Sequence, residues 1–258
     1  MSNLPALKWD VEIGSIYFHS PSMRTSSINI WAIIGPEVDI SWTSSATVSL
    51  FYGQSLIGEV ALKDTFIVPE RSALCIEDMR FEISDMIGLK TLFRDVMSTV
   101  KGPQQRGNGS PAAALEVVEN GHKLLVSIDL NGVGSLKSSA PIVKLAGTEI
   151  EISFSIMSPN VVEIYFGQAH FELMKNGIEL AKLTGELGID IGSNEYVLKG
   201  EILSKSDLSG RAILKGVNLD DDTNTWFFHA IRQFEMEVDL DKMLVGREQL
   251  LLAEMNHS

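Results

Sequence analysis

One cysteine, Cys75, in 258 residues rules out a disulfide framework within the chain. It sits in Ala73-Leu74-Cys75-Ile76, and that apolar setting predicts a buried core thiol rather than a reactive one. Positive charge is also scarce, since 21 Lys and Arg against 34 Asp and Glu give a net charge of −13. Such a chain repels phosphate backbones and anionic headgroups unless a local basic patch intervenes, and none is visible. Nucleic acid is therefore not an expected partner. No run approaches the roughly 20 apolar residues needed to span a bilayer. Residues 1–15 carry Lys8, Asp10 and Glu12 and no apolar signal-peptide core, which points to a cytoplasmic protein.

Catalytic signatures are missing too. Neither a Gly-x-Gly-x-x-Gly nor a Gly-x-x-x-x-Gly-Lys-Ser run is present to cradle phosphate, and no Gly-x-Ser-x-Gly elbow is found. The five histidines are His19, His122, His170, His229 and His257, none at metal-ligand spacing. Asp220, Asp222 and Asn224 open like a calcium loop, but Thr225 and Ile231 stand where Gly and Glu are needed. No metal and no cofactor are expected.

What is present is alternation. Glu149-Ile150-Glu151-Ile152-Ser153-Phe154-Ser155-Ile156 switches apolar and polar at every step, the pattern of a strand with one wet face. Ile28 to Trp31, Leu124 to Leu130, Phe171 to Leu173 and Met236 to Leu240 behave alike. Gly53-Gln54, Asn120-Gly121, Asn131-Gly132 and Asn176-Gly177 punctuate the runs, and Asn-Gly favours a two-residue hairpin turn. Antiparallel sandwiches follow, rather than a parallel α/β sheet.

Two stretches instead carry helical spacing. Residues 85–100 place Met86, Ile87, Leu89, Leu92, Phe93, Val96 and Met97 on one face, with Ser84 or Asp85 as N-cap. A second short helix starts near Trp226, and residues 242–255 are a third candidate. The Gly- and Pro-rich stretch 102–111 reads as a flexible linker or a long loop, taken as the linker between two units. This divides the chain into a first unit at 1–101, a second at 112–241, and a helical tail at 242–258. Across the linker, Leu50 to Val60 lines up with Leu173 to Leu183, each a strand, tight turn and strand. That repeat predicts a duplicated domain.

Ser20-Pro21-Ser22-Met23, the strand from Ile28 to Ile34, Gly35-Pro36-Glu37-Val38, Leu56 to Val60 and the helix after Asp85 together resemble one unit of an uncharacterised fungal family. That family consists of tandem relatives of the late-embryogenesis-abundant type 2 β-sandwich domain. Asn176 to Ala181 and Trp226 to Leu240 resemble the same unit again. The resemblance implies two immunoglobulin-like antiparallel β-sandwich units, seven strands each, with one short helix apiece. It implies no catalytic residues. Its members typically carry an initial membrane anchor, which this sequence lacks, and that departure points away from envelope scaffolding.

Aromatics beside polar groups supply the candidate site. Tyr17, Trp31, Trp42, Phe51, Trp226, Phe227 and Phe228 are candidate ligand-binding residues, and His19, His229, Tyr52 and Arg232 are candidate catalytic donors. The same aromatics are also what a core would use. Even so, a helix cannot bury Trp226, Phe227 and Phe228 on a single face, so at least one should meet another unit, a pocket or a partner. The leading expectation is a protein that binds an apolar small molecule in an aromatic-lined cleft between the units, where pockets concentrate. A cofactor-independent cyclase of the pericyclase type, in a fungal natural-product pathway, is the sharper alternative, since it needs only confinement and aimed donors. A non-catalytic, stress-protective scaffold is the third, and it expects Trp226, Phe227 and Phe228 to pack wholly inside the body. Exposed edge strands would also permit a homodimer.

Overall fold

A computed structural model describes residues 11–34, 43–65, 73–97, 111–119, 122–129, 136–158, 161–203, 208–220 and 225–245. The period-two runs become strands. In the first half these are β1 (Val11–His19), β2 (Thr25–Ile34), β3 (Thr43–Tyr52), β4 (Ser55–Thr65), β5 (Ala73–Ile83), β6 (Pro111–Glu119) and β7 (His122–Asp129). Helix α1 (Met86–Met97) lies between β5 and β6. The second half contains β8 (Lys137–Ser138), β9 (Ile142–Ala146), β10 (Glu149–Ser158), β11 (Val162–Lys175), β12 (Ile178–Ile189), β13 (Gly192–Ile202), β14 (Arg211–Leu219), α2 (Trp226–Ile231), β15 (Glu235–Asp239) and β16 (Leu244–Val245).

The duplication is visible in the pairing. The first half is ordered β1-β2-β5-β4-β3-β6-β7 and the second β9-β10-β13-β12-β11-β14-β15, the same path with every neighbour antiparallel. The aligned hairpins are equivalent, since β3–β4 and β11–β12 occupy the same places. Asn176 (φ 50°) and Gly177 (φ 79°) both take left-handed backbone, as the predicted Asn-Gly turn requires. Asn120-Gly121 and Asn131-Gly132 lie outside the described residues. On β10, Ile150, Ile152, Phe154 and Ile156 all point into the core. Phe234 sits between Phe154 of one face and Phe171 of the other, at centroid distances of 6.2 and 5.7 Å. The protein is mainly β, built as antiparallel sandwiches.

Three expectations shift. β6 and β7 extend the first unit through β3, so the boundary expected at 102–111 falls inside that unit. The glycines and prolines there mark a connection between α1 and β6, and composition cannot tell a long loop from a linker. Cys75 is exposed, because β5 turns Ile76 inward and its neighbour outward. Partial desolvation and the Glu77 carboxylate push the thiol's pKa up, so less of it is thiolate than in an unperturbed cysteine. At the C-terminal side, Leu240–Lys242 forms a 3-10 turn and β16 pairs in parallel with β9. Residues 244–245 of the candidate third helix are thus strand, and 246–258 lie outside the described residues.

The two units join through one parallel pairing. Ile16, Tyr17 and Phe18 of β1 lie beside Val162, Glu163 and Ile164 of β11. The Ser22 carbonyl, in the turn after β1, accepts the Trp226 N–H at 3.0 Å. Trp226 is 1% exposed, edge-on to Phe18 at 5.5 Å and tilted against Phe93 of α1 at 5.4 Å. An indole from the second unit therefore fills the core of the first.

Candidate functional site

The site begins with a gap in strand pairing. One edge of β11 is covered by β1 as far as Ile164 and by β14 from Ala169 onward. Tyr165, Phe166 and Gly167 between them pair with neither strand on that edge, and Gln168 keeps a single backbone bond there, its carbonyl accepting the Asp220 N–H at 3.1 Å just past β14. The pairing of β11 with β12 also slips a register between Tyr165 and Gly167, and Gly167 takes a φ of 72°, a bulge that glycine accommodates without strain.

A notch of about 350 Å³ opens at this gap. Tyr17 and His19 come to it from the first unit, and Tyr165, Gln168, Thr225 and Phe227 from the second. The rings of Tyr17 and His19 stack at 5.5 Å. His19 Nε2 lies 3.3 Å from both Asn29 Oδ1 and Asp78 Oδ1, two acceptors that hold the imidazole in place. Phe227 meets Phe166 edge-on at 5.4 Å. Thr225 is 4% exposed, and its Oγ1 has no hydrogen-bond partner among the described residues. A buried hydroxyl left unpaired costs about 1–3 kcal/mol, which makes it a standing demand for a polar group.

The notch runs into a second opening. β12 pairs with β13 only from Ala181 to Thr184, against Ile202 to Lys199. Past that point β12 stays with β11 and β13 follows β10, so the strands splay. A cleft of about 660 Å³ lies between them, and Tyr165 and Gln168 line both openings. Glu186 and Asp190 stand on one side, with Asn194 and Tyr196 on the other. Tyr196 donates its O–H to the Gly188 carbonyl at 2.8 Å, and desolvation and then Asp190 push its pKa up to about 12. Loss of hydration likewise raises the Asp190 carboxyl above the usual range. Tyr165 is raised by desolvation and then by Glu186. The Asn194 amide nitrogen is buried with no partner among the described residues.

Only three of the eleven sequence candidates meet at this groove, namely Tyr17, His19 and Phe227. Trp226 belongs to the core between the units. Phe228, His229 and Arg232 sit on another side of α2, with the Arg232 guanidinium 5.3 Å above the Phe228 ring. There, desolvation and the charges of Lys90 and Arg232 hold His229 below its ordinary pKa. Tyr52 ends β3, donating to Asp95 Oδ2 at 2.5 Å, and burial and that bond push its pKa up. Phe51 beside it is half-buried. Trp31 is 44% exposed on the outer face of β2, lying across Gly14. Trp42 lies outside the described residues. Nothing in the sequence marked Gln168, Thr225, Glu186, Asp190, Asn194 or Tyr196, because they converge only where strands end or part.

Among the described residues, no group of three His, Cys, Asp or Glu is placed to hold a metal ion, and no helix is long and apolar enough to cross a membrane. The groove offers hydroxyl, imidazole and amide groups around an aromatic wall. It can orient a bound molecule by hydrogen bonds and confine it, but presents no activated nucleophile.

No known protein family matches the chain, and no curated protein does. Among solved structures, the Amycolatopsis orientalis exo-chitosanase CsxA shows 10% identity and a TM-score of 0.25 over 88% of this chain, which spans 26% of that enzyme. A partial N-terminal region of the enterococcal surface protein shows 8% identity and a TM-score of 0.19, covering 93% of this chain and 97% of that one. A 35 kDa C-terminal fragment of the major pilin GBS80 of Streptococcus agalactiae shows 8% identity and a TM-score of 0.16, covering 91% and 92%.

Proposed function

We propose that the protein binds a small molecule with an apolar or aromatic body in the notch between its two units. The observation that carries this reading is the convergence of Tyr17 and His19 from one unit with Tyr165, Phe227 and the unpaired Thr225 hydroxyl from the other. A volume of about 350 Å³ lies in the range of roughly 300–1,000 Å³ that small-molecule pockets occupy. Trp226 and Phe227 are buried as the scaffold alternative expects, but a scaffold has no use for a gap left beside them.

Cyclisation of a bound chain is the second reading, favoured by several donors facing one opening. Tyr17 stands there, while His19 Nε2 and the Tyr165 hydroxyl would have to leave Asn29, Asp78 and Glu186 to donate, and one well-aimed donor supplies about 3–4 kcal/mol of transition-state stabilisation.

The test is an amide NMR titration of the full chain with a neutral aromatic alcohol such as 2-phenylethanol. Shifts clustered at Tyr17, His19, Gly167 and Thr225, weakened at least about tenfold by Tyr165→Ala with the fold intact, support the notch. Saturation without any shift at those amides overturns it. Native mass spectrometry of protein taken directly from cell extract then identifies a retained molecule.

A further inference from the structure

The cleft beside the notch has a chemistry of its own. Glu186, Asp190 and Glu195 line it, and none has an ion-pair partner among the described residues. Its one lysine, Lys199, leans toward Glu151 at 3.8 Å. Asp190 is only half exposed, a poor setting for an uncompensated charge. Tyr165, 48% exposed, lines the same space together with Tyr196, whose ring also packs against Phe154 at 5.9 Å. Gly188 forms part of the wall, and a methyl group added there would stand 3.5 Å from both Asp190 Oδ2 and the Tyr165 ring. A carboxylate without a counter-cation, two aromatic rings and a buried amide with an open hydrogen-bonding position are the parts from which ammonium sites are made.

We propose that this cleft seats the cationic head of the ligand, a protonated amine, between the Asp190 carboxylate and the rings of Tyr165 and Tyr196. The inference rests on the notch as the site of the ligand's body. It deepens that reading by fixing the ligand class as an aromatic or apolar organic amine. Tyr165 and Gln168, which line both openings, are where body and head meet. The Asn194 amide takes a polar substituent near the head. An anionic ligand is refused by the three carboxylates, and a neutral one leaves Asp190 uncompensated.

The experiment compares 2-phenylethylamine, 2-phenylethanol and 3-phenylpropanoate by calorimetry and amide NMR on the full chain. The amine is expected to bind most tightly and to shift Gly188, Asp190 and Tyr196 as well as the notch, while the carboxylate leaves the cleft untouched. Asp190→Asn should weaken the amine at least about tenfold and bring it level with the alcohol. Glu77→Gln, on an exposed carboxylate of β5, should change neither. If Glu77→Gln weakens the amine as much as Asp190→Asn, the attraction is diffuse and the cleft assignment falls. Shifts confined to the notch for amine and alcohol alike also overturn the cleft while leaving the notch standing. Amine shifts confined to the cleft, with the notch silent for every probe, uphold the ammonium seat and overturn the notch.

Discussion

Trp226 shows how one side chain can answer two demands unequally. Its ring joins both units, yet its indole N–H is buried with no acceptor among the described residues. Trp226→Ala should cost about 3–5 kcal/mol, the usual range for emptying an aromatic site in a core. Trp226→Phe loses part of the volume but also removes the orphaned donor, whose burial costs about 1–3 kcal/mol. The two effects oppose each other, so the phenylalanine variant should lie within about 1.5 kcal/mol of wild type. Urea unfolding of both variants checks the contrast. His229 offers a pH test. Its folded pKa lies below the ordinary value, chiefly through desolvation and then Lys90 and Arg232, so the unfolded chain binds the proton more readily. Stability should fall as pH drops from about 6.5 through the folded pKa, and His229→Gln should flatten that limb in melts between pH 7.5 and 5. Asp190 runs the other way. Its raised pKa means that the ionised form is penalised at neutral pH, so Asp190→Asn should raise the melting temperature slightly. A site that stabilises the fold when disarmed follows the usual trade between stability and activity.

Among the elements, β11 does the most to position the site. Fourteen residues long, it serves β12 on one edge and shares the other between β1 and β14, and the unshared residues are the notch. β12 and β13 are equally decisive, since their short pairing opens the cleft. Gly200 is what permits even that contact, because a Cβ there would stand 1.7 Å from the Lys182 carbonyl oxygen on β12. Gly200→Ala should therefore push the strands apart and destabilise the second unit by more than about 2 kcal/mol. Faster amide exchange at Ala181 to Thr184 than at β1 and β2 would localise the damage. At this scale the sequence was a good guide. Asp85, one of the two N-cap candidates, caps α1, accepting from the Ile87 and Gly88 N–H groups at 2.9 Å each, and Leu89, Leu92, Phe93, Val96 and Met97 are buried as their spacing demanded, whereas Ile87 faces solvent. The candidates that failed to gather were chosen for aromatic character. In a sandwich, a ring next to a polar residue is as often the inward half of an alternation as the wall of a pocket.

For the whole molecule, the repeated path of seven strands fits a duplication, but the halves have diverged in where they carry a helix. α1 follows the fifth strand of its unit, while α2 follows the sixth of the other. That displacement puts Trp226 against Phe18 and Phe93 and locks the units together. The full chain should therefore unfold in one cooperative transition, and Trp226→Ala should split it into two in calorimetry. A single transition in that variant would mean that the β1–β11 pairing alone couples the halves.

Local pattern determined the strands, the Asn176-Gly177 turn, the first helix with its cap, and the existence of two related units. Each of these depends on residues within a few positions of one another, so a single sequence records it. The groove lies elsewhere in the argument. His19 and Thr225 are 206 positions apart, and they meet because a parallel pairing ends at Ile164 before an antiparallel one begins at Ala169. Asp190 and Tyr196 face a cleft because two strands part company. Where neighbouring strands stop is set by how the units pack, and only the tertiary structure decides it.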